Sequence, residues 1–284
     1  MSEKILITGA TGTIGKAVVK HLKAKNASFL IASRNPEEAA EKFGSDINVV
    51  KFEFEDISTF ENAVDGVSKV FLLGPPLRYD LADVLMPFLD FLKAKNILEV
   101  VYISALGAEK MGDTLTFHTI IEEKLKADGF DYTILKPSFF SQNFKNYEWE
   151  NITQRGITYV TAGEGKVGFI DVDDIGLVAS TVLTSTGHSK KIYELTGPEL
   201  LSYQDAATLL SEVTGKQIVY PNPSIEEYTK ALKAAGAPDF IAPYMTSVYS
   251  LISDHKVNFL TNNVETITGK KPSLLRDVLI ADFK

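Results

Sequence analysis

The sequence predicts an α/β fold, a doubly wound parallel sheet with a small, mostly helical C-terminal lobe, and three observations carry that prediction. Short β-branched apolar runs alternate with helix-period segments as far as Pro137, an order that parallel strands with crossover helices satisfy most economically. The first of these runs breaks at a turn with three glycines and resumes at once with helical spacing. Beyond Pro137 the alternation is lost, and from Tyr203 onward helical periodicity dominates.

Taken in order, the first strand covers residues 5–7, and Ile14, Ala17, Val18, His21 and Leu22 lie on one face of the helix that follows. Between them Gly9 can make the tight turn, Gly12 lets backbone N–H groups approach a pyrophosphate, and Gly15 lets the helix pack close to the strand. The helix N-terminus then faces the phosphates with its partial positive charge. This is the arrangement of a Rossmann-type dinucleotide site, with Gly9, Thr11, Gly12, Thr13, Ile14 and Gly15 as its cofactor contacts; an ordinary glycine-rich βα turn is the alternative.

The second strand, 28–33, ends at Arg34-Asn35-Pro36, where Asn35 can cap and Pro36 can start a helix reaching Phe43. A third strand spans 48–54. Ser58-Thr59-Phe60-Glu61 has the capping-box pattern and opens a short helix that ends near Gly66. The fourth strand, 69–73, stops at Gly74-Pro75-Pro76 and leads into a long helix over 81–95 that contains Pro87. A fifth strand at 98–103, a helix at 115–127 and a sixth strand at 132–135 complete the regular part. Residues 138–149 are rich in aromatics and amides without a clean period. Further on come a strand at 157–160, a helix at 175–183 capped and charged by 171–174, and a last sheet strand at 191–195. Helices at 203–214, 224–235, 240–253 and from near Ser273 follow, with a short strand at 217–220. The expected division is a nucleotide-binding core over 1–150, a mixed segment over 151–200 that completes the sheet, and a substrate-side lobe over 201–284.

Composition narrows the function classes. A net charge of −8 provides no basic footprint for nucleic acid. Absence of cysteine excludes disulfides, thiol nucleophiles and thiolate metal sites. His21, His188 and His255 show no metal-ligand spacing, so no metal is expected. No apolar run reaches membrane-spanning length, and the N-terminus enters its strand with no room for a signal peptide, so a cytoplasmic address is expected. The expected partner is a small conjugated or aromatic substrate, and the expected assembly a monomer or homodimer.

The end of the second strand selects the cofactor. An NAD enzyme tends to place a carboxylate there for the ribose 2′-hydroxyl, whereas Ser33-Arg34-Asn35 offers a guanidinium suited to a 2′-phosphate. NADP(H) is therefore expected over NAD(H), with a solvated Arg34 as the alternative. Asp56, after the third strand, is placed for the adenine amine or for a cap. Gly74 and Pro75 lie where the chain passes the cofactor.

Several segments together resemble a known family. Gly9-Ala10-Thr11-Gly12-Thr13-Ile14-Gly15, Ser33-Arg34-Asn35-Pro36 and Tyr102-Ile103-Ser104-Ala105 are similar to the NmrA-like branch of the atypical short-chain dehydrogenase/reductases, as are the runs at 132–137 and 169–175. Within that branch the chain looks most like the bacterial NADPH quinone oxidoreductases and triphenylmethane reductases. The resemblance implies a Rossmann core, NADP(H) and a cofactor contact at Ser104; the family also contains NADP-sensing regulators. Superfamily members with a Ser-Tyr-Lys set carry Tyr-x-x-x-Lys on the helix after the fifth strand, the tyrosine delivering a proton to a carbonyl oxygen. Aligned to that pattern, His118 stands in place of the tyrosine and Glu122 in place of the lysine. The spacing Tyr132 to Lys136 falls on a strand, where four residues span roughly 13 Å, so it is not a helical catalytic pair.

His118 and Glu122 are one helical turn apart, so His118 is expected at the nicotinamide or substrate with Glu122 orienting it, or else as a packed histidine beside a solvated glutamate. Lys136 and Asn143 are candidate nicotinamide-side contacts, with Lys136 counted among the catalytic residues. Phe139, Phe140, Phe144, Tyr147, Trp149, Tyr244 and Tyr249 are candidate walls of a flat apolar slot; Phe139, Phe140, Asn143 and Tyr244 are the substrate residues chosen from this region. Loss of the tyrosine suits electrophilic conjugated acceptors, which take a hydride without a strong protein acid. The expected function is an NADPH-dependent reductase of a quinone-like or other conjugated acceptor. A non-catalytic NADP(H) sensor is the alternative.

Overall fold

Period-two alternation sorts the apolar strand residues onto two faces of one sheet. In β1 (Lys4–Ile7) Ile5 and Ile7 pack on one side and Leu6 on the other. The same split recurs at Ile31 against Leu30 and Ala32 in β2 (Phe29–Ser33), and at Phe71 against Val70 and Leu72 in β4 (Val67–Leu72). In β5 (Glu99–Ile103) Val101 and Ile103 oppose Val100 and Tyr102. With β3 (Asn48–Lys51), β6 (Asp131–Pro137) and β7 (Lys191–Leu195) these strands form one parallel sheet in the order β3-β2-β1-β4-β5-β6-β7. The computed structural model describes residues 4–44, 46–111 and 116–284.

Helices cover both faces, as a parallel sheet requires. On one lie α1 (Thr13–Ala24), α2 (Pro36–Phe43) and, further along the chain, α7 (Val172–Thr184). On the other lie α3 (Phe60–Ala63), α4 (Leu81–Ala94) and α5 (Phe117–Ala127). The helix α4 continues through Pro87, and Leu115, the expected start of α5, lies outside the described residues. Strand order reverses between β1 and β4, which opens a crevice beyond their C-terminal ends.

A third core holds the C-terminal lobe. It joins α6 (Asn143–Asn146), α8 (Tyr203–Thr214), α9 (Ile225–Ala234), α10 (Ile241–Ser253) and α12 (Leu275–Phe283) through Phe144, Leu210, Tyr228, Ile252 and Leu279. Packing does not follow the boundaries expected at 150 and 200: Leu106 and Phe144 belong to this core. Val264, on α11 (Asn263–Thr268), packs back against α7 and β7.

Several local expectations are corrected. β3 ends at Lys51, not at residue 54. The strands expected at 157–160 and 217–220 are reduced to a single parallel bridge, Ile157 to Val219, which no strand among the described residues extends. The capping box expected at 58–61 does not form, because Asp56 takes the cap instead, accepting from the Ser58 N–H at 3.1 Å.

Candidate active site

Parallel strands bring the ends of β1, β2, β4, β5 and β6 to one edge of the sheet, and most of the expected site residues come with them. At β1, Gly9 adopts φ +64°, the left-handed turn that lets the chain reverse towards α1. Thr8 fixes the mouth of the crevice: its hydroxyl accepts from the Leu73 N–H at 2.8 Å and lies 3.1 and 3.0 Å from the Phe71 and Leu73 carbonyls. A Cβ on Gly15 would run into the Gly9 carbonyl and lie 2.6 Å from Ala10 Cα, so only glycine allows this approach of helix to turn. Gly12 caps α1 without a side chain, and no acidic residue occupies the first turn. The N–H groups of Thr13, Ile14 and Gly15 carry no protein acceptor among the described residues. Thr11, Gly12 and Thr13 are exposed beside them. This uncovered fan of donors fits the pyrophosphate of a dinucleotide.

At β2, Arg34 is exposed, and Lys51 from the end of β3 donates to its carbonyl oxygen at 2.6 Å, so two cations share the corner. The carboxylate of Glu38 is held by Lys42 and Asn35. Asp56 is also exposed, but one of its carboxylate oxygens is occupied by the Ser58 N–H and hydroxyl. Gly74 and Pro75 follow β4 half-buried.

At β5 and β6 the site is made of side chains. Ser104, Glu122 and Lys136 are 4, 4 and 8% exposed. The Ser104 hydroxyl donates to Glu122 Oε1 at 2.6 Å, and Lys136 Nζ pairs with Glu122 Oε2 at 3.0 Å and with Glu109 at 3.2 Å. A lysine of β6 thus pairs with the carboxylate that stands where the Tyr-x-x-x-Lys pattern has its lysine. Burial alone would depress the Lys136 ammonium, but the carboxylates of Glu122 and Glu109 outweigh it and hold the group above the ordinary lysine range. Burial likewise opposes ionisation of Glu109, which its own backbone N–H, Lys136 and Lys110 overcome.

Glu122 does not orient His118. The partner of His118 is Tyr102, whose hydroxyl lies 2.6 Å from Nδ1. Burial, reinforced by the charge on Lys136, lowers His118 to about 4 and keeps it neutral at pH 7. Burial and then the Glu122 carboxylate raise the Tyr102 phenol well above its usual value. Ser104 cannot give its proton to a cofactor while it donates to Glu122.

The substrate residues do not form one wall. Phe139 stacks on Tyr249 at 6.1 Å, while Phe140 packs against the sheet core and bridges to Ile170. Asn143 opens α6 half-buried, its amide without a partner among the described residues. Tyr244 on α10 meets the edge of Tyr79, 5.6 Å away, and the Tyr79 hydroxyl donates to the Phe240 carbonyl at 3.2 Å, so the loop after β4 touches the lobe here. Phe144 and Tyr249 are buried core residues; Tyr147 is exposed and Trp149 stacks on Phe283 at 5.2 Å.

Sequence reasoning gave no role to Tyr102 or Glu109, nor to the buried hydroxyls of Ser138 and Ser141, which have no partner among the described residues. Alternation along β5 was the available signal for Tyr102, since it turns residues 100 and 102 towards the face that α5 covers. A cavity of about 470 Å³ between α9 and α10, lined by Thr246, Ser250 and Ser253, includes none of these residues. Among the described residues no group of histidines and carboxylates could hold a metal, and no helix is long and apolar enough to cross a membrane.

Comparison with known proteins agrees with this geometry. The model of the NmrA-like family matches residues 1–277. The chain is 32% identical to the uncharacterized oxidoreductase YesF of Bacillus subtilis, over 98% of this chain and 94% of that protein. Among solved structures it is similar to the NADPH-dependent quinone oxidoreductase QOR2 of Escherichia coli complexed with NADPH, with a TM-score of 0.89, 26% identity and coverage of 99 and 100%. The triphenylmethane reductase of Citrobacter sp. complexed with NADP(H) gives a TM-score of 0.87, 25% identity and the same coverage.

Proposed function

The chain belongs to the NmrA-like family, and from that premise we propose that it is an NADPH-dependent reductase of a neutral conjugated acceptor of the quinone type, working without a Ser-Tyr-Lys set. It is an oxidoreductase; the acceptor and the preference for NADPH are the parts proposed. The cofactor would be held by the backbone of Gly9 and Thr11 to Gly15, by Arg34 with Lys51 beside it, and by the chain at Gly74 and Pro75. When bound, NADPH supplies the hydride.

The observation that carries the reading is Lys136, a buried ammonium kept charged at the end of β6 by Glu122 and Glu109. A quinone or enone becomes an oxyanion on accepting a hydride, and the Lys136 N–H groups can hydrogen-bond the oxygen on which that charge develops. Such a charge-assisted bond is worth roughly 1.5–3 kcal/mol. A cationic dye becomes neutral on reduction and gains nothing from the same donor. Because a hydroquinone anion is stable, solvent can complete its protonation, and no tyrosine is required.

The test is NADPH oxidation followed optically with 1,4-naphthoquinones, enones and triphenylmethane cations. Turnover fastest with the quinones is expected. NADPH binding without oxidation by any acceptor would replace this reading with that of a cofactor sensor.

A further inference from the structure

The contact between Tyr102 and His118 determines more than the position of a ring. Tyr102 is completely buried, and His118 Nδ1 is the one acceptor its hydroxyl has among the described residues. If Nδ1 carried the imidazole proton and donated to Tyr102, the phenol O–H would be left buried with no acceptor. A stranded donor of that kind costs about 1–3 kcal/mol. A charged imidazole would strand it equally, since both ring nitrogens would then be donors. The surroundings disfavour that charge as well: Lys136 is close, and the Glu122 carboxylate is already paired with Lys136 and hydrogen-bonded by Ser104.

We propose that Tyr102 is a positioning residue that locks His118 as the neutral Nε2–H tautomer, so that Nε2–H is a fixed hydrogen-bond donor to the oxygen of the bound acceptor. No described residue accepts from Nε2, and the ring is half-buried, so this edge is left for a ligand. The imidazole keeps its proton throughout. It polarises the acceptor as an uncharged electrophile, beside the cationic donor Lys136. The sequence departs from the Tyr-x-x-x-Lys pattern at both helix positions, and this arrangement recovers a neutral donor and a cation from different elements: tyrosine and lysine come from strands, histidine and glutamate from the helix. The role as donor rests on the reductase reading above, whereas the tautomer does not.

Protein labelled with ¹⁵N-histidine and saturated with NADP⁺ gives the test, with His118→Gln identifying the signal among the four histidines. The expected His118 spectrum has a protonated Nε2 and an unprotonated Nδ1, unchanged from pH 5.5 to 8.5. A protonated Nδ1 at pH 7, alone or in an imidazolium, overturns the lock on the wild-type protein without any variant. In Tyr102→Phe the two tautomers should mix, and kcat with 2-methyl-1,4-naphthoquinone should fall about tenfold, the loss expected for one misdirected neutral hydrogen bond, while KM changes less than threefold. A variant that retains the wild-type spectrum or the wild-type kcat overturns the role given to Tyr102. A wild-type protein with the expected spectrum and no turnover rejects the reductase reading and leaves the lock intact.

Discussion

The two ends of the crevice are built from different materials. At β1 and β2 the surface is backbone and solvent-exposed cations: a glycine turn, the open N-terminus of α1, Arg34 and Lys51. At β5 and β6 it is side chains, with Tyr102, Ser104, Glu122 and Lys136 buried, His118 half-buried and Glu109 exposed, each occupied by another: Ser104 with Glu122, Glu122 with Lys136, Lys136 with Glu109, Tyr102 with His118. Main-chain donors need only a local conformation, so the first end tolerates side-chain change wherever no Cβ intrudes. Charges in a low-dielectric site depend on every partner, so the second end should fail when one member is removed and recover when members leave in matched pairs.

Lys136→Met should give the largest effect. It leaves the buried Glu122 with only the more distant and more exposed Lys126, 3.9 Å away, and breaking a buried pair costs up to about 3–5 kcal/mol, read as a lower urea midpoint. The double variant Lys136→Met with Glu122→Leu should regain most of that stability while remaining slow with quinones. If the single variant is as stable as wild type, the buried network does not hold this end together, and the contrast between the two ends is lost.

That contrast also explains what could be read in the sequence. The turn Gly9 to Gly15 is legible because every part of its function lies in one short segment whose spacing encodes a strand, a turn and a helix. The exposed place of Arg34 between β2 and α2 is legible for the same reason. His118 and Glu122 are adjacent on one helix face, and the sequence alone suggests that they touch. The structure gives each a different partner, because β5, the residue that follows it and β6 present Tyr102, Ser104 and Lys136 to that face. Contacts between residues brought together by sheet register have no local signature. The same limit applies in the lobe, where Phe144 and Tyr249 look like walls in sequence and are core in the fold.

Protonation provides a second probe of the end at β5 and β6. Burial keeps His118 neutral down to about pH 4, whereas in the unfolded chain it protonates near 6.5. Between those values the unfolded state binds the extra proton, so this contribution is complete above pH 6.5 and is lost as pH falls towards 4. Its size is at most about 3 kcal/mol. Glu148 acts in the opposite direction, since burial raises its carboxyl to about 7. The measurement is therefore the difference in urea stability between wild type and His118→Gln across pH 4 to 7. That difference should shrink as the pH falls, and a constant difference would mean that His118 is solvated.

At the other end, Gly15→Ala puts a methyl group against the Gly9 carbonyl and Ala10, with an overpacking cost of about 1–3 kcal/mol and weaker NADP⁺ binding by calorimetry. Gly12→Ala meets only the Gly9 carbonyl, 3.3 Å away, and should cost less on both counts. Equal effects at the two glycines would indicate that general flexibility, not the close approach at Gly15, shapes the loop.

The smallest effect is expected at Arg34, where solvent screens the charge. Arg34→Ala should weaken NADPH binding about tenfold, near 1.4 kcal/mol, and leave NADH binding unchanged, because only NADPH carries the 2′-phosphate. Raising the salt concentration should narrow the gap between wild type and variant, as it does for exposed ion pairs and not for buried ones. Lys51→Ala should show the same selectivity to a smaller degree, since its ammonium is also bonded to the Arg34 carbonyl. If Arg34→Ala weakens both cofactors alike, the guanidinium acts on the adenosine they share, for example by lying against the adenine. If neither is affected, Arg34 is a solvated residue ahead of α2, and the exposed end of the crevice recognises its ligand through the backbone alone.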